Sequence, residues 1–304
     1  MGLSLTYAIP DLHGRLDLLV AGLAKITAHA GSRSATVVTL GDYVDRGPDS
    51  RRVISYLLTW EWSNLRLVAL KGNHEEMMWR TCTELSDPDW WIANGGDRTL
   101  ASYGRSPSDP PNFLHVPRDQ LEWIAQLPVV HQDRYRVYVH AAIDPARPLD
   151  QQDPRTLLWK RYRESFDAPY GNYHVVHRHQ AMADGPMVMK HRTNLDTMAW
   201  KTGRLVIGIF EDSQPWWTSR SSGSTRATWL EKGDCLLRHS SLVSSVVSLG
   251  RPPSADHRVV ESGSSKLAML GSATQFSSRH GARCTYAPYR RSVGANRSER
   301  SERP

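Results

Sequence analysis

Five times within the first 180 residues, an apolar β-rich run stops and a carboxylate, an amide or a histidine follows at once. "LTYAI" leads to Asp11 and His13, "ATVVTL" to Asp42, Asp45 and Arg46, and "LRLVAL" to Asn73 and His74. "YRVYV" leads to His140, and "HVVH" reaches His177 and His179. A solvated loop needs polar residues, but not this order of them at the end of each buried run. The stretches between, among them "LDLLVAGLAKITAHA", "SRRVISYLLTWE", "HEEMMWRTC" and "RDQLEWIAQL", have helical periodicity. Strand–helix alternation implies an α/β core whose sheet faces are covered by helices. Ligands in such sheets collect beyond the carboxyl ends of the strands, so the five polar sets can converge on one crevice.

Their donor chemistry narrows what that crevice holds. Oxygen and imidazole ligands without thiolates suit hard or borderline divalent ions such as Mn, Fe or Zn. Two such ions carry four positive charges, and Asp11, Asp42 and a bridging hydroxide offset three of them. The remainder attracts a phosphate dianion, while the neutral oxygen of Asn73 leaves the ions acidic enough to activate water. Taken singly, "GD" is a turn, "NH" a loop and a strand-end His a structural residue. Order, spacing and shared position at strand ends lift them above that.

With 304 residues, 39% of them apolar, and eleven Trp, the chain can bury one large core or two ordinary ones. No run of about 18 apolar residues predicts a transmembrane helix, and the start lacks the basic and apolar regions of a secretory signal. Cys82, Cys235 and Cys284 are too few and too scattered for a disulfide frame or a thiolate zinc site. The expected location is cytoplasmic. The net charge of +7 is uneven: residues 213–304 carry 14 Lys and Arg against 6 Asp and Glu, leaving residues 1–212 near neutrality. Stretches such as "SRSSGSTRATW" and "RRSVGANRSERSERP" predict a disordered tail at 213–304 behind a folded domain at 1–212. Scattered arginines without interleaved aromatics argue against a nucleic-acid partner, and the oligomeric state is left open.

"PDLHG", "GDYVDRG", "GNHEE" and "VHAAI", followed by a later His, resemble the calcineurin-like metallophosphoesterases. The likeness is to the phosphoprotein phosphatase family in its bacterial and phage-type serine/threonine branch. "WWIANGGDRTLASYG", "PLDQQDPRTLLWKR" and "TNLDTMAWKTGRLVIGIFED" extend it over roughly residues 5–212. The resemblance implies a metallophosphatase-type layered fold, with central β-sheets in a sandwich flanked by helices. It also implies two divalent metal ions, Mn first and Fe or Zn as alternatives. Asp11 and His13 would hold one ion, Asp42 would bridge, and Asn73, His140 and His179 would hold the second. His74 resembles the general acid and Asp45 its orienting carboxylate, with Arg46 and Arg161 as phosphate clamps, a role suited to the guanidinium fork.

The function implied is a phosphomonoesterase acting on phosphoserine and phosphothreonine in proteins. The alternative within the family is symmetrical hydrolysis of dinucleoside tetraphosphates, a branch that tends to carry Gln where His13 stands. Four departures from the pattern stand out: Pro10 for Gly, "HAA" for "HAG", Arg178-His179-Gln180 for "GHT", and Met198 for the Gly of "DTGA". Arg178 and Met198 raise a further alternative, a weakly active or inactive binding homologue. His177 rivals His179 as a ligand, because alternate residues of a strand share a face. Trp90 and Trp91 are expected to pack a helix against the body, and His174 and His191 to be structural.

Overall fold

Alternation within the apolar runs decides which layer each side chain joins. In β1 (Leu5–Ile9), Tyr7 and Ile9 join a core shared with helices, while Ala8 joins one shared with a second sheet. Val37 and Val38 of β2 (Ala35–Thr39) divide in the same way. The computed structural model describes residues 4–106, 109, 113 and 115–211, with the backbone of two short strands at 229–230 and 245–249.

β1, β2 and β3 (Leu65–Ala69) run parallel, joined by α1 (Leu16–Ala30) and α2 (Ser50–Leu58). The helical layer continues through α3 (Asn73–Cys82), α4 (Pro88–Trp91), a π turn at Ile92–Gly96, α5 (Asp97–Ser102) and α6 (Arg118–Gln126). The second sheet is built from β4 (Val130–Gln132), β5 (Arg136–Val139), β6 (His174–His177), β7 (Met187–Val188) and β8 (Arg192–Asn194), in the order β4-β5-β6-β8-β7. A 3₁₀ turn at Leu149–Gln151 and α7 (Pro154–Trp159) lie between β5 and β6. After β8, α8 (Ala199–Thr202) leads into β9 (Leu205–Glu211), which returns to the first sheet antiparallel to β1.

Two sheets face each other across Ala8, Val38, Leu40 and Leu70 on one side and Tyr138, Val176 and Leu195 on the other, with Val206 and Phe210 of β9. Val137, Val139 and Val175 point the other way and meet Ile143, Leu157 and Tyr170. The architecture is therefore the expected layered α/β sandwich flanked by helices. No helix among the described residues is long and apolar enough to cross a membrane. The expected tail at 213–304 lies outside the described residues except for β10 (Trp229–Leu230) and β11 (Ser245–Leu249). β11 pairs with the free edge of β9, and β10 pairs with β11.

Candidate active site

The loop after β2 is held by one side chain that sequence reasoning missed. Glu75, fully buried at the start of α3, accepts the backbone N–H of Gly72 (2.9 Å), Asp42 (2.7 Å), Tyr43 (2.7 Å) and Val44 (3.3 Å). It thereby ties the loop after β2 to the loop after β3. Burial, with the Asp42 carboxylate adding, pushes its carboxyl up to about 7. The two loops touch closely enough that only glycine fits between them. A Cβ on Gly72 would lie 2.2 Å from Asp42 Oδ1, and one on Gly41 2.5 Å from Gly72 N. Glu75→Ala would strand four buried donors, each worth about 1–3 kcal/mol when unsatisfied. A loss of about 4 kcal/mol in unfolding free energy is expected, measurable by urea denaturation.

Six non-glycine residues around the site hold left-handed backbone: His13 (φ 40°), Asp42 (54°), Asp45 (72°), Arg46 (67°), His179 (69°) and Met198 (50°). Each costs on the order of 1–3 kcal/mol and persists because its surroundings fix it. At Met198 the left-handed turn is stabilised by its N–H donating to Asp196 Oδ1 at 2.9 Å.

Two imidazoles are oriented by acceptors behind them. His13 Nδ1 donates to Val44 O (2.7 Å), so its Nε2 faces inward, 3.4 Å from Asp42 Oδ2 and 3.6 Å from Asp11 Oδ2. His74 Nδ1 donates to Asp45 Oδ2 at 2.6 Å. Asp45 also accepts Trp91 Nε1 (3.0 Å to both oxygens) and Thr99 Oγ1 (2.7 Å), so every partner treats it as a carboxylate. Burial lowers the His74 pKa, but Asp42 and Asp45 outweigh it and the net shift is upward. Arg46, half-buried, donates to His13 Nε2 (2.9 Å) and His74 Nε2 (3.0 Å), and its guanidinium lies 5.3 Å from the Trp200 ring centre. Trp91 is thus more than a packing residue, and Trp90, expected to pack beside it, is 62% exposed.

Among the described residues, two groups of three donors each lie within 4.8 Å of one another: His13, Asp42 and His74, and Asp42, His140 and His179. Asp42 belongs to both. His74 stands in the first group, where the sequence expectation had Asp11. Asn73 joins the second through Oδ1, 2.8 Å from His140 Nε2. Arg161 is exposed, and its positive charge is among those that, after burial and Arg178, bring the His179 pKa down to about 4. His177 is not part of this set. Its Nδ1 donates to Arg178 O (3.0 Å), its Nε2 accepts from Arg192 (3.0 Å), and Tyr162 packs edge-on at 4.9 Å. The left-handed residue at 179 breaks strand alternation, so 177 and 179 do not share a face.

Several features fit these residues to cations. Asp11 Oδ1 is buried without a hydrogen-bond partner. Neutral His140 has one N–H, yet Leu40 O lies 2.9 Å from Nδ1 and Asn73 Oδ1 lies 2.8 Å from Nε2. One of those contacts sets two acceptors face to face, and the positive charge beside them is the Arg178 guanidinium, whose Nη2 lies 2.6 Å from Nδ1 and 2.8 Å from Nε2. Burial and then Arg178 hold the His140 pKa well below the usual range, so a second proton is not the remedy. The donor set is oxygen and imidazole only. The guanidinium of Arg178, which the sequence had marked as a departure, lies in the middle of it.

Comparison with known proteins bears on what such a centre belongs to. Residues 6–200 match the family model for calcineurin-like phosphoesterases. Serine/threonine-protein phosphatase 1 of Salmonella typhimurium is 29% identical over 163 residues, 52% of this chain and 68% of that protein. Serine/threonine-protein phosphatase 2 of Escherichia coli is 33% identical over 91 residues, 30% of this chain and 38% of that one. The symmetrical bis(5'-nucleosyl)-tetraphosphatase of Neisseria meningitidis is 30% identical over 173 residues, 55% of each chain. For the last two, the chain spans about half of the relative's length or less. A cold-active protein-tyrosine phosphatase from a psychrophilic Shewanella shares the fold, with a TM-score of 0.51 and 17% identity over 68% of this chain and 75% of that one. The chain belongs to the calcineurin-like phosphoesterase family.

Proposed function

We propose that this calcineurin-like phosphoesterase is a protein serine/threonine phosphatase whose catalytic domain is residues 1–212. In this reading Asp11 and His13 hold one divalent ion, Asn73, His140 and His179 hold a second, and Asp42 is shared between them. The observation that carries it is the membership of Asp42 in both donor groups. Bound there, divalent ions, Mn before Fe or Zn, would supply positive charge for a phosphate dianion and the acidity that activates water at neutral pH. Arg46 and the exposed Arg161 bind the non-bridging phosphoryl oxygens with their planar forks. His74, oriented by Asp45, carries the proton that the leaving oxygen needs. Trp91 and Thr99 hold Asp45 in place for that task. A cytoplasmic setting suits three cysteines scattered at positions 82, 235 and 284.

Identity to a Salmonella serine/threonine phosphatase and the His at position 13 favour phosphoprotein. A dinucleoside tetraphosphate is the second reading, favoured by 30% identity to the Neisseria tetraphosphatase. A Mn-supplemented panel of phosphoserine peptide, nitrophenyl phosphate and diadenosine tetraphosphate separates the two. The peptide should exceed the tetraphosphate in kcat/KM by at least about tenfold, about 1.4 kcal/mol of transition-state preference. The reverse order would establish the second reading, and no turnover of any of the three with Mn would overturn both.

A further inference from the structure

Arg178 is 1% exposed and sits among the residues that the proposed function assigns to two ions. Its Nη1 donates to Asp11 Oδ2, and its Nη2 lies 2.5 Å from Asp42 Oδ2 and 2.8 Å from His140 Nε2. Its Nε donates to Leu40 O at 3.4 Å, and its backbone N–H donates to His140 O at 3.1 Å, so both chain and side chain are anchored at the strand ends. A buried guanidinium persists only where carboxylates and further acceptors compensate it. Here the compensating atoms are those that a divalent ion needs. The guanidinium also supplies the positive charge that the acceptor pair at His140 lacks.

Guanidinium and divalent ion cannot occupy the same carboxylate oxygens together, because like charges at contact distance repel strongly in a buried site. We propose that Arg178 is an internal counter-ion of the centre: it occupies Asp11, Asp42 and His140 in the metal-free protein, and a divalent ion binds there by exchanging with it. Two consequences follow from the exchange. The metal-free protein is folded and charge-compensated at its centre, and ion affinity is set by the difference between two cations rather than by filling a bare anionic cluster. The inference rests on the two-ion reading of Asp11, Asp42 and His140.

Arg178→Met keeps most of the stem and removes the charge; Arg178→Lys keeps a charge that reaches fewer acceptors at once. In chelator, Arg178→Met should melt below the wild type, since Asp11 and Asp42 lose their common partner. Titrated with Mn in a calorimeter, it should bind at least about tenfold more tightly and gain more in Tm from the ion, as binding to the folded state alone requires. Arg178→Lys should fall between the two, and it serves as the deciding variant if Arg178→Met does not fold. Equal or weaker Mn affinity in the variants, or an unchanged melting temperature in chelator, overturns the exchange while leaving the metal centre standing. Mn binding to none of the proteins overturns both.

Discussion

Asp42→Asn is expected to cost at least about 10³-fold in kcat/KM on every phosphate ester the protein hydrolyses, with loss of bound Mn. Removing a single charge-stabilising donor from an active site typically costs about 10²–10³, and Asp42 stands at more than one point of contact. Its Oδ2 lies 3.4 Å from His13 Nε2 and its Oδ1 lies 3.6 Å from His140 Nε2, so its two oxygens face the two donor groups. Burial alone would raise its pKa, but Arg178 and then His74, His140 and His13 hold it well below the usual carboxylate range. Asparagine keeps the shape and can still accept the His74 N–H that reaches Oδ1 at 3.2 Å. What it loses is the negative charge common to both groups. Metal content and rates on phosphopeptide and nitrophenyl phosphate, measured with circular dichroism as a folding control, decide the matter. Normal metal content together with a normal rate would remove Asp42 from the centre.

The residues legible in the sequence are those that follow directly on a strand. The apolar runs and the rule that parallel strands gather their ends brought Asp11, His13, Asp42, Asn73, His74 and His140 towards one crevice, while their separate roles came only from the family resemblance. Strand–helix alternation made the α/β class legible, but only the family resemblance implied a second sheet; the structure shows Tyr7/Ala8 and Val37/Val38 dividing between the two cores. Trp91 and Thr99 were not legible as supports of Asp45. They reach it across 46 and 54 positions of sequence, from a segment of short helices interrupted by a π turn. Glu75 carried a signal that went unused: a Glu at the third helical position is placed to accept the N-cap backbone N–H, here that of Gly72. His177 became a rival to His179 only through strand parity, and parity fails where the backbone turns left-handed. Arg178 shows the remaining gap. The sequence marks it as unusual, but only the fold reveals that its side chain turns inward to Asp11 and Asp42.

His74→Asn tests a role rather than mere importance, because two roles for His74 predict different outcomes. Serine and threonine leave as alkoxides, which need a proton in the transition state; nitrophenolate leaves with little help. In the proposed function His74 carries that proton. It is 2% exposed, its Nδ1 donates to Asp45 at 2.6 Å, and the carboxylates of Asp42 and Asp45 outweigh burial in favouring the charged ring. Its Nε2 accepts from Arg46 at 3.0 Å, so that nitrogen takes up a proton only when Arg46 lets go of it. In the proposed function Arg46 binds the phosphoryl group instead, which frees Nε2 to hold the proton given to the leaving oxygen. General acid catalysis is worth about 10²–10⁴-fold. The substitution should therefore cost that much on a phosphoserine peptide and less than about tenfold on nitrophenyl phosphate. Arg46→Ala serves as the control and should raise KM on both substrates, since it acts on the phosphoryl group common to them. The other role comes from the donor group that His74 forms with His13 and Asp42. A ligand shared by every turnover would cost both substrates alike and lower Mn content, so equal losses on the two substrates would move His74 from the acid to the metal.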